Sequence, residues 1–186
     1  MGFFYWIVII LVILLEIALL VFSLFLVSNM FSTIFLSKVP WVPTRPRIGR
    51  KMFELADLKP GETVVDLGCG DGILLMTAVK DFQAGHCIGY ELDPAIRSWG
   101  NFRLRLAKLS DKIELRGGNF FKAELPKADV VATYLFPEVQ IKLEPLLKKY
   151  YPSGTRVISR TFRFPTLTLE KTSVIDGETL YLYRIP

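Results

Sequence analysis

The stretch VVDLGCGDG, residues 64–72, decides the fold of this 186-residue chain. Two β-branched residues precede an acid, and glycines then recur at every second position. A turn-forming segment before this stretch and an apolar segment after it predict a buried strand at Thr63–Leu67 and a helix at Ile73–Phe82. A strand, a glycine turn and a helix bring backbone N–H groups within reach of a ligand.

Two glycine-rich ligand-binding motifs are absent from this turn, which excludes the ligands that they bind. A dinucleotide-binding turn needs a third glycine at the position of Ile73, and the Gly-Lys-Ser/Thr ending of a phosphate-binding loop is absent. Asp66 and Asp71 would also repel a pyrophosphate. Carboxylates beside exposed backbone suit a cationic ligand that carries an amino acid and a ribose, and S-adenosylmethionine (SAM) is such a ligand.

A second acid follows at the end of the next predicted strand. That strand covers His86–Tyr90, and Glu91 comes 21 residues after Gly70. Ribose-binding acids follow a glycine turn by about 20 residues. Glu91 is therefore expected to accept hydrogen bonds from the ribose hydroxyls. Taken alone, it could equally be a solvated acid at a strand end.

The N-terminal part of the chain is apolar enough to cross a membrane. Residues 3–27 are almost all apolar, and at about 1.5 Å per residue they exceed a hydrocarbon core of about 30 Å. No basic segment precedes them, which disfavours a cleaved signal peptide. Five basic residues follow the span and predict a single-pass protein whose C-terminal domain faces the cytoplasm: Lys38, Arg45, Arg47, Arg50 and Lys51.

Charge and cysteine content exclude several classes of partner. The net charge of +5 is modest and no basic-aromatic motif occurs, so we expect no nucleic-acid partner. The two cysteines, Cys69 and Cys87, form no C-x-x-C pair or His/Cys cluster, so neither a metal site nor a disulfide framework is predicted. Reduced thiols agree with a cytoplasmic domain. The oligomeric state stays open.

The remaining pattern predicts an α/β domain with a mostly parallel sheet and a C-terminal antiparallel hairpin. Asp93 and Pro94 should start a helix in which Ile96, Trp99, Phe102, Leu106 and Leu109 pack against the sheet. Further strands are expected at 112–115, 128–133 and 155–159, a helix at 138–149, and a hairpin of 167–175 and 179–185 around Asp176-Gly177. The predicted parts are an anchor (1–37), a proline-rich linker with a lead-in helix at 48–58 (38–58), and the domain (59–186).

The glycine turn resembles motif I of the class I SAM-dependent methyltransferases. Asp66, Gly68 and Gly70 match the acid-x-Gly-x-Gly pattern of that family. The combination with Val42-Pro43-Thr44 and Tyr134–Val139 is more particular. It is similar to the small protein-lysine methyltransferases of archaea and mitochondria and their membrane-anchored bacterial relatives, over roughly residues 39–165. Residues 160–167 depart from that group because they lack an expected tryptophan.

The resemblance implies a Rossmann-like class I methyltransferase sheet after one transmembrane helix, with SAM as cofactor. Asn119 stands where the family often has an acid that contacts the adenine amino group. Residues 42–44 would close over the cofactor, with a plain linker as the alternative. The implied cofactor-binding residues are Asp66, Gly68, Cys69, Gly70, Asp71, Glu91, Leu92, Asn119, Phe120 and Thr44.

The resemblance also suggests where the methyl acceptor binds. Tyr134, Trp41 and Phe136, with Phe162, are candidate walls of a dry aromatic site in which desolvation favours a neutral amine. Tyr134 would orient the amine through its hydroxyl or stabilise a cationic methyl group with its ring. The expected function is methylation of lysine side chains in a protein by a membrane-anchored enzyme. The alternatives are a lipid or small-molecule acceptor, and a non-catalytic SAM-binding module.

Overall fold

The computed structural model describes residues 2–31 and 41–186, which belong to two compact units, Met1–Trp41 and Val42–Pro186. The first unit contains helix α1, Gly2–Phe31. Its stretch Gly2–Val27 has a mean hydropathy of 3.2 and is long enough to cross a membrane, by length and composition only. A signal sequence would pass the same test. Most of the predicted linker before Trp41, including Lys38, lies outside the described residues.

The second unit is built on a seven-stranded sheet with the order β3-β2-β1-β4-β5-β7-β6. The first five strands are parallel, and β7 pairs antiparallel with both β5 and β6. This confirms the predicted class I methyltransferase sheet with a C-terminal hairpin. The strands are β1 Thr63–Leu67, β2 His86–Glu91, β3 Ile113–Gly117, β4 Val130–Thr133, β5 Arg156–Arg160, β6 Leu169–Ile175 and β7 Glu178–Arg184.

Helices cover both faces of the sheet. They are α2 Pro46–Leu55, α3 Ile73–Phe82, α4 Pro94–Leu106 and α5 Pro137–Tyr150. Successive residues of the central strand β1 point to opposite faces. Val64 belongs to the core layer that includes α2 and α3, and Val65 belongs to the layer that includes α5. Because both faces of β1 are buried, its successive residues Val64 and Val65 are both apolar.

The start of α4 follows the sequence closely. The Asp93 side chain accepts hydrogen bonds from the N–H groups of Ala95 and Ile96, 2.8 and 3.1 Å away, and Pro94 occupies the first helical turn. This cap satisfies donors that have no partner inside the helix. The direction of α4 is thereby fixed directly after the carboxyl end of β2.

The predicted packing face of α4 is wrong for three of its five residues. Trp99, Phe102 and Leu106 are exposed, whereas the buried residues of the helix are Ile96, Gly100 and Leu104. The reason lies at Gly100, where a Cβ atom would lie 2.9 Å from the backbone oxygen of Asp71. A glycine adds nothing to an apolar pattern, yet here it allows the helix to pack closely against the glycine turn and against Leu115 of β3. The aromatic residues therefore lie on the outer side.

The strand order determines where a ligand can bind. The order reverses between β1 and β4, which are hydrogen-bonded neighbours with Leu67 opposite Thr133. In an open α/β sheet, the connections diverge at this point and leave a crevice outside the carboxyl ends of the strands. The glycine turn after β1 and the aromatic segment after β4 both begin at this crevice.

Candidate active site

The glycine turn is tied to the neighbouring strand through its backbone. The N–H groups of Gly68 and Cys69 both donate to the carbonyl oxygen of Tyr90 at 3.0 Å. Gly68 has a φ of +91°, and a Cβ atom there would lie 3.0 Å from Cδ2 of Leu135. Only glycine combines this backbone conformation with such close contact. The turn therefore lies directly against the segment that follows β4.

Glu91 lies at the carboxyl end of β2, as predicted, and holds the turn from the other side. Its Oε2 accepts the N–H of Gly70 at 2.9 Å, and its Oε1 accepts the N–H of Asp93 at 2.8 Å. Burial raises its pKa, although the bonds from these two N–H groups oppose the shift. Each carboxylate oxygen keeps a second lone pair for a ligand hydroxyl. The predicted contact with ribose is thus chemically possible and stays a prediction.

Asp66 is a buried acid with no side-chain hydrogen bond to the described part of the chain. Burial raises its pKa to about 8, and the nearby carboxylates of Glu91 and Asp71 add to the shift. An acid in this state is stabilised by a cation, because a positive charge offsets both the desolvation and the repulsion. Asp66 therefore fits a role beside a cationic ligand.

Asp71 is also buried, but its carboxylate is turned toward α4. One oxygen pairs with Arg103, and the other accepts the N–H of Ile73 at 3.3 Å. The carboxylate thus joins the glycine turn to two helices. The role of Asp71 in cofactor binding stays a prediction. Because its carboxylate is already paired within the protein, the backbone of the turn suits that role better than the side chain.

The other predicted cofactor residues surround this turn. The thiol of Cys69 is buried, and burial raises its pKa. Leu92 is half-buried beside Glu91. Asn119 is exposed, and its Oδ1 accepts the N–H of Phe121 at 2.9 Å, which leaves one lone pair for an adenine amino group. The half-buried Phe120 ring packs on Phe121, with centroids 4.6 Å apart.

An aromatic cluster lies at the carboxyl ends of β4 and β5. The ring of Tyr134 stacks near Phe162 with centroids 6.2 Å apart, and Phe136 contacts Phe162 edge-on at 5.8 Å. All three side chains are half-buried. The structure thus brings the predicted Tyr134, Phe136 and Phe162 together. Trp41 belongs to the first unit, where its ring contacts Phe25 at 6.1 Å, and its predicted role stays a prediction.

Arg160 organises this cluster and was not predicted as a site residue. It is buried, and its guanidinium lies 4.1 Å from the centroid of the Tyr134 ring. It makes a two-pronged pair with Glu178 of β7 and donates to the hydroxyl of Thr44 at 3.1 Å. The predicted Thr44 is therefore joined to the aromatic side of the crevice. Arg160 connects three segments that are distant in sequence.

A polar group beneath the aromatic rings was also missed. The buried Gln140 donates from Nε2 to Ser159 Oγ at 2.6 Å and to the backbone oxygen of Phe162 at 3.1 Å. Thr161 has a φ of +67°, which is unusual for a β-branched residue. These bonds hold the strained chain after β5 in place. The only sequence signal for these hydrogen bonds is that polar residues interrupt the apolar pattern at the end of a buried strand.

Several buried polar side-chain atoms have no hydrogen-bond partner in the described part of the chain. Within the described residues, four such side-chain atoms occur: Asp93 Oδ2, Thr133 Oγ1, Gln140 Oε1 and the Tyr151 hydroxyl oxygen. The first three lie on segments at the carboxyl ends of β2 and β4. An orphaned buried polar atom is costly unless a ligand or water satisfies it. Asp93 Oδ2 and Thr133 Oγ1 belong to residues at the ends of β2 and β4, where a ligand or a water molecule can satisfy them.

Comparison with known proteins supports a SAM site at this crevice. The ANTKMT methyltransferase domain matches residues 66–171. A protein-lysine N-methyltransferase of Saccharolobus islandicus is 36% identical over 79% of this chain and 94% of its own length. A lysine N-methyltransferase of Xenopus laevis, named for a subunit of ATP synthase, is 25% identical over 79% of this chain and 64% of its own length.

A solved structure extends the comparison to the fold and the cofactor. It is an RNA methyltransferase from Salinibacter ruber in complex with S-adenosyl-L-homocysteine, with 34% identity and a TM-score of 0.75. The match covers 78% of this chain and 94% of that one. S-adenosylhomocysteine is the product that remains when SAM has lost its methyl group. The chain therefore belongs to the ANTKMT methyltransferase domain family and is a SAM-dependent methyltransferase with the class I fold.

Proposed function

We propose that this methyltransferase modifies lysine side chains of a protein substrate while α1 anchors it in a membrane. The observation that carries the lysine assignment is the cluster of Tyr134, Phe136 and Phe162 beside the glycine turn, with Arg160 packed on Tyr134. The names of the relatives from Saccharolobus islandicus and Xenopus laevis support it.

This cluster suits an amine that must react without its proton. A lysine ammonium is stable in water, but burial among aromatic rings favours the neutral amine because desolvation penalises the charged form. Arg160, which is paired with Glu178, holds the Tyr134 ring in place. The hydroxyl of Tyr134 can then accept or donate one hydrogen bond to orient the amine lone pair. Such alignment can contribute about 7–11 kcal/mol to lowering the barrier.

The cofactor residues complete the arrangement. SAM supplies a methyl group on a positively charged sulfur. The carboxylates of Asp66 and Glu91 would hold its cationic and ribose parts, and the N–H groups of the glycine turn would hold its polar edge. Gly68 contacts Leu135, so the cofactor turn adjoins the segment that carries Tyr134. The domain thus has to align two bound groups, and its side chains form no covalent bond.

The membrane anchor rests on α1. Its 26-residue apolar stretch precedes basic residues at 38, 45, 47, 50 and 51, which favour a cytoplasmic location for the C-terminal domain. Resistance of the full-length protein to extraction by alkaline carbonate would support the anchor. Release by carbonate, or removal of the N-terminal segment from the mature chain, would contradict it.

The lysine assignment is tested by tracing a label. The full-length protein in detergent is incubated with methyl-labelled SAM and with membrane protein, soluble protein, RNA and lipid fractions that are counted separately. We expect acid-stable label in protein that co-elutes with methyl-lysine. Tyr134→Ala is expected to lose this labelling while SAM binding survives, and Asp66→Asn is expected to weaken both.

The other outcomes identify the alternatives. Label only in RNA would favour the activity by which the Salinibacter ruber neighbour is described. Label only in the lipid extract would favour a lipid or small-molecule acceptor. Either result would overturn the lysine assignment and would leave the methyltransferase fold and the SAM site intact.

A further inference from the structure

Helix α4 carries an apolar face that the domain does not cover. Trp99, Phe102 and Leu106 are 49%, 48% and 69% exposed, and the rings of Trp99 and Phe102 stack with centroids 5.7 Å apart. At about 100° per residue, these three positions share one side of the helix, opposite the buried Leu104. We call Trp99, Phe102 and Leu106 the α4 stripe. Large apolar side chains exposed in one group usually mark a contact surface.

Positive charge surrounds the α4 stripe. Residues 94–112 contain five basic residues and a single acid, Asp111. Arg105, Lys108 and Lys112 are exposed, and none has a carboxylate within 4 Å among the described residues. Tryptophan, phenylalanine and leucine on one side with unpaired cations beside them are typical of a helix that lies in a membrane interface.

We infer that the α4 stripe lies on the surface of an anionic bilayer, with Trp99 and Phe102 inserted among the lipid headgroups. Charge complementarity identifies this occupant. Anionic phospholipids match Arg105, Lys108 and Lys112, and each basic side chain near such a surface strengthens binding. A second copy docked through the same stripe would bring two sets of these cations together, which opposes association.

Contact between the α4 stripe and a bilayer would restrict which proteins the enzyme can methylate. Helix α4 begins at the carboxyl end of β2, directly after Glu91, and Arg103 joins it to the glycine turn through Asp71. Trp99, the first residue of the α4 stripe, therefore lies within two helical turns of the start of α4, on the side of the sheet that carries the active site. Lysines of membrane proteins near the cytoplasmic headgroups would be the favoured acceptors. The inference rests on the proposed membrane anchor.

The test uses Trp99 as a depth probe. The chain has three tryptophans, at 6, 41 and 99, so Trp6→Phe with Trp41→Phe leaves Trp99 alone. This full-length variant is reconstituted into vesicles of phosphatidylcholine brominated on its acyl chains, with or without phosphatidylglycerol. We expect a blue-shifted Trp99 emission that is quenched in the anionic vesicles and recovers in high salt.

Matched variants test whether the quenching depends on the α4 stripe and its neighbouring cations. Phe102→Ser with Leu106→Ser, and separately Arg105→Gln with Lys108→Gln, are expected to lose the quenching. Ile141→Ser on α5 is the control, because Ile141 is an equally exposed apolar residue of another helix, and quenching should persist. All these positions are exposed, so the fold should be retained.

Each remaining outcome overturns a defined step. Unquenched Trp99 in a chain that resists carbonate extraction would reject the α4 contact and leave the anchor. Release of the chain by carbonate would reject the anchor and the contact together. Equal quenching in neutral vesicles would reject the role of the basic residues. Shielding of Trp99 that grows with protein concentration in detergent would assign the stripe to self-association instead.

Discussion

The guanidinium of Arg160 lies 4.1 Å from the centre of the Tyr134 ring. Its position is fixed by the carboxylate of Glu178 and by the hydroxyl of Thr44. Tyr134 follows β4, Thr44 precedes α2 and Glu178 begins β7. One buried cation thus holds together the lead-in segment, the acceptor side of the crevice and the C-terminal hairpin.

Replacing Arg160 should therefore impair catalysis more than cofactor binding. Arg160→Met keeps much of the side-chain volume but releases Tyr134 and Thr44, and misplacing a reacting group by about 1 Å can lower a rate roughly 100-fold. We expect a large fall in kcat, with the Kd for SAM nearly unchanged. Arg163→Met is the matched control, since Arg163 is exposed and contacts Tyr181 instead. An equal loss in both variants would contradict a specific role for Arg160.

SAM affinity should depend on the protonation of Asp66. Its pKa of about 8 means that the acid is mostly protonated at neutral pH without ligand. A cationic ligand prefers the carboxylate, so binding releases a proton, and affinity should rise up to about tenfold per pH unit below pH 8. Calorimetry at several pH values would detect this rise and the proton release. Asp66→Asn should bind SAM weakly with no such rise, while the exposed Asp57→Asn should behave like the wild type.

The same acid should reduce the stability of the ligand-free domain at high pH. Its folded pKa of about 8 exceeds the ordinary value of 3.8, so the folded chain holds a proton that the unfolded chain releases between these values. The free energy of unfolding should therefore fall as pH rises from about 4 to 8. Thermal unfolding should show a smaller decrease of Tm in Asp66→Asn than in the wild type. An equal decrease of Tm in both proteins would show that another group causes the pH dependence.

Glu91 should contribute to both the cofactor site and the shape of the turn. Glu91→Ala removes the acceptor for the N–H groups of Gly70 and Asp93. Each unpaired N–H that stays buried costs about 1–3 kcal/mol, so this variant should lose stability as well as SAM affinity. Glu91→Gln keeps one acceptor oxygen and should lose mainly affinity. Retained affinity in both variants would remove Glu91 from the cofactor site.

Gly100 should be the position in α4 that is least tolerant of a methyl group. In Gly100→Ala the new Cβ would meet the backbone oxygen of Asp71 at 2.9 Å and Cδ1 of Leu115 at 2.6 Å. Overpacking of this kind typically costs about 1–3 kcal/mol, and it would push the helix away from the glycine turn. We expect a lower Tm and weaker SAM binding. The neighbouring Asn101→Ala should change neither, and a neutral Gly100→Ala would show that α4 can shift freely.

The cofactor half of the site could be predicted because its residues are close in sequence. A strand, a glycine turn and an acid at the end of the next strand all lie between residues 63 and 91, and the strand and helix bounds there differ from the structure by at most one residue. The role of Glu91 as a partner of Gly70 follows from the pairing of β1 with β2. Short-range patterns are sufficient for this half.

The acceptor half could be predicted only in part, because long-range pairing builds it. The aromatic residues Tyr134 and Phe136 follow a predictable strand, but the pair of Arg160 with Glu178 depends on how β7 joins β5. The outer position of Trp99 had a different cause, since Gly100 defines the packing face of α4 without adding to its apolar pattern. The sequence pattern alone assigns such aromatic residues to the core.

The sheet order also has a consequence for biosynthesis. Strand β7 is made after every other strand of the sheet, yet it lies inside it, between β5 and β6. The glycine turn and Glu91 can therefore assemble early on the ribosome, while Arg160 receives its partner Glu178 only when the last strand has emerged. Because α1 precedes the domain in the chain, the proposed anchor would emerge before the acceptor side of the crevice is complete. Methyl transfer would then begin only after the last strand has joined the sheet.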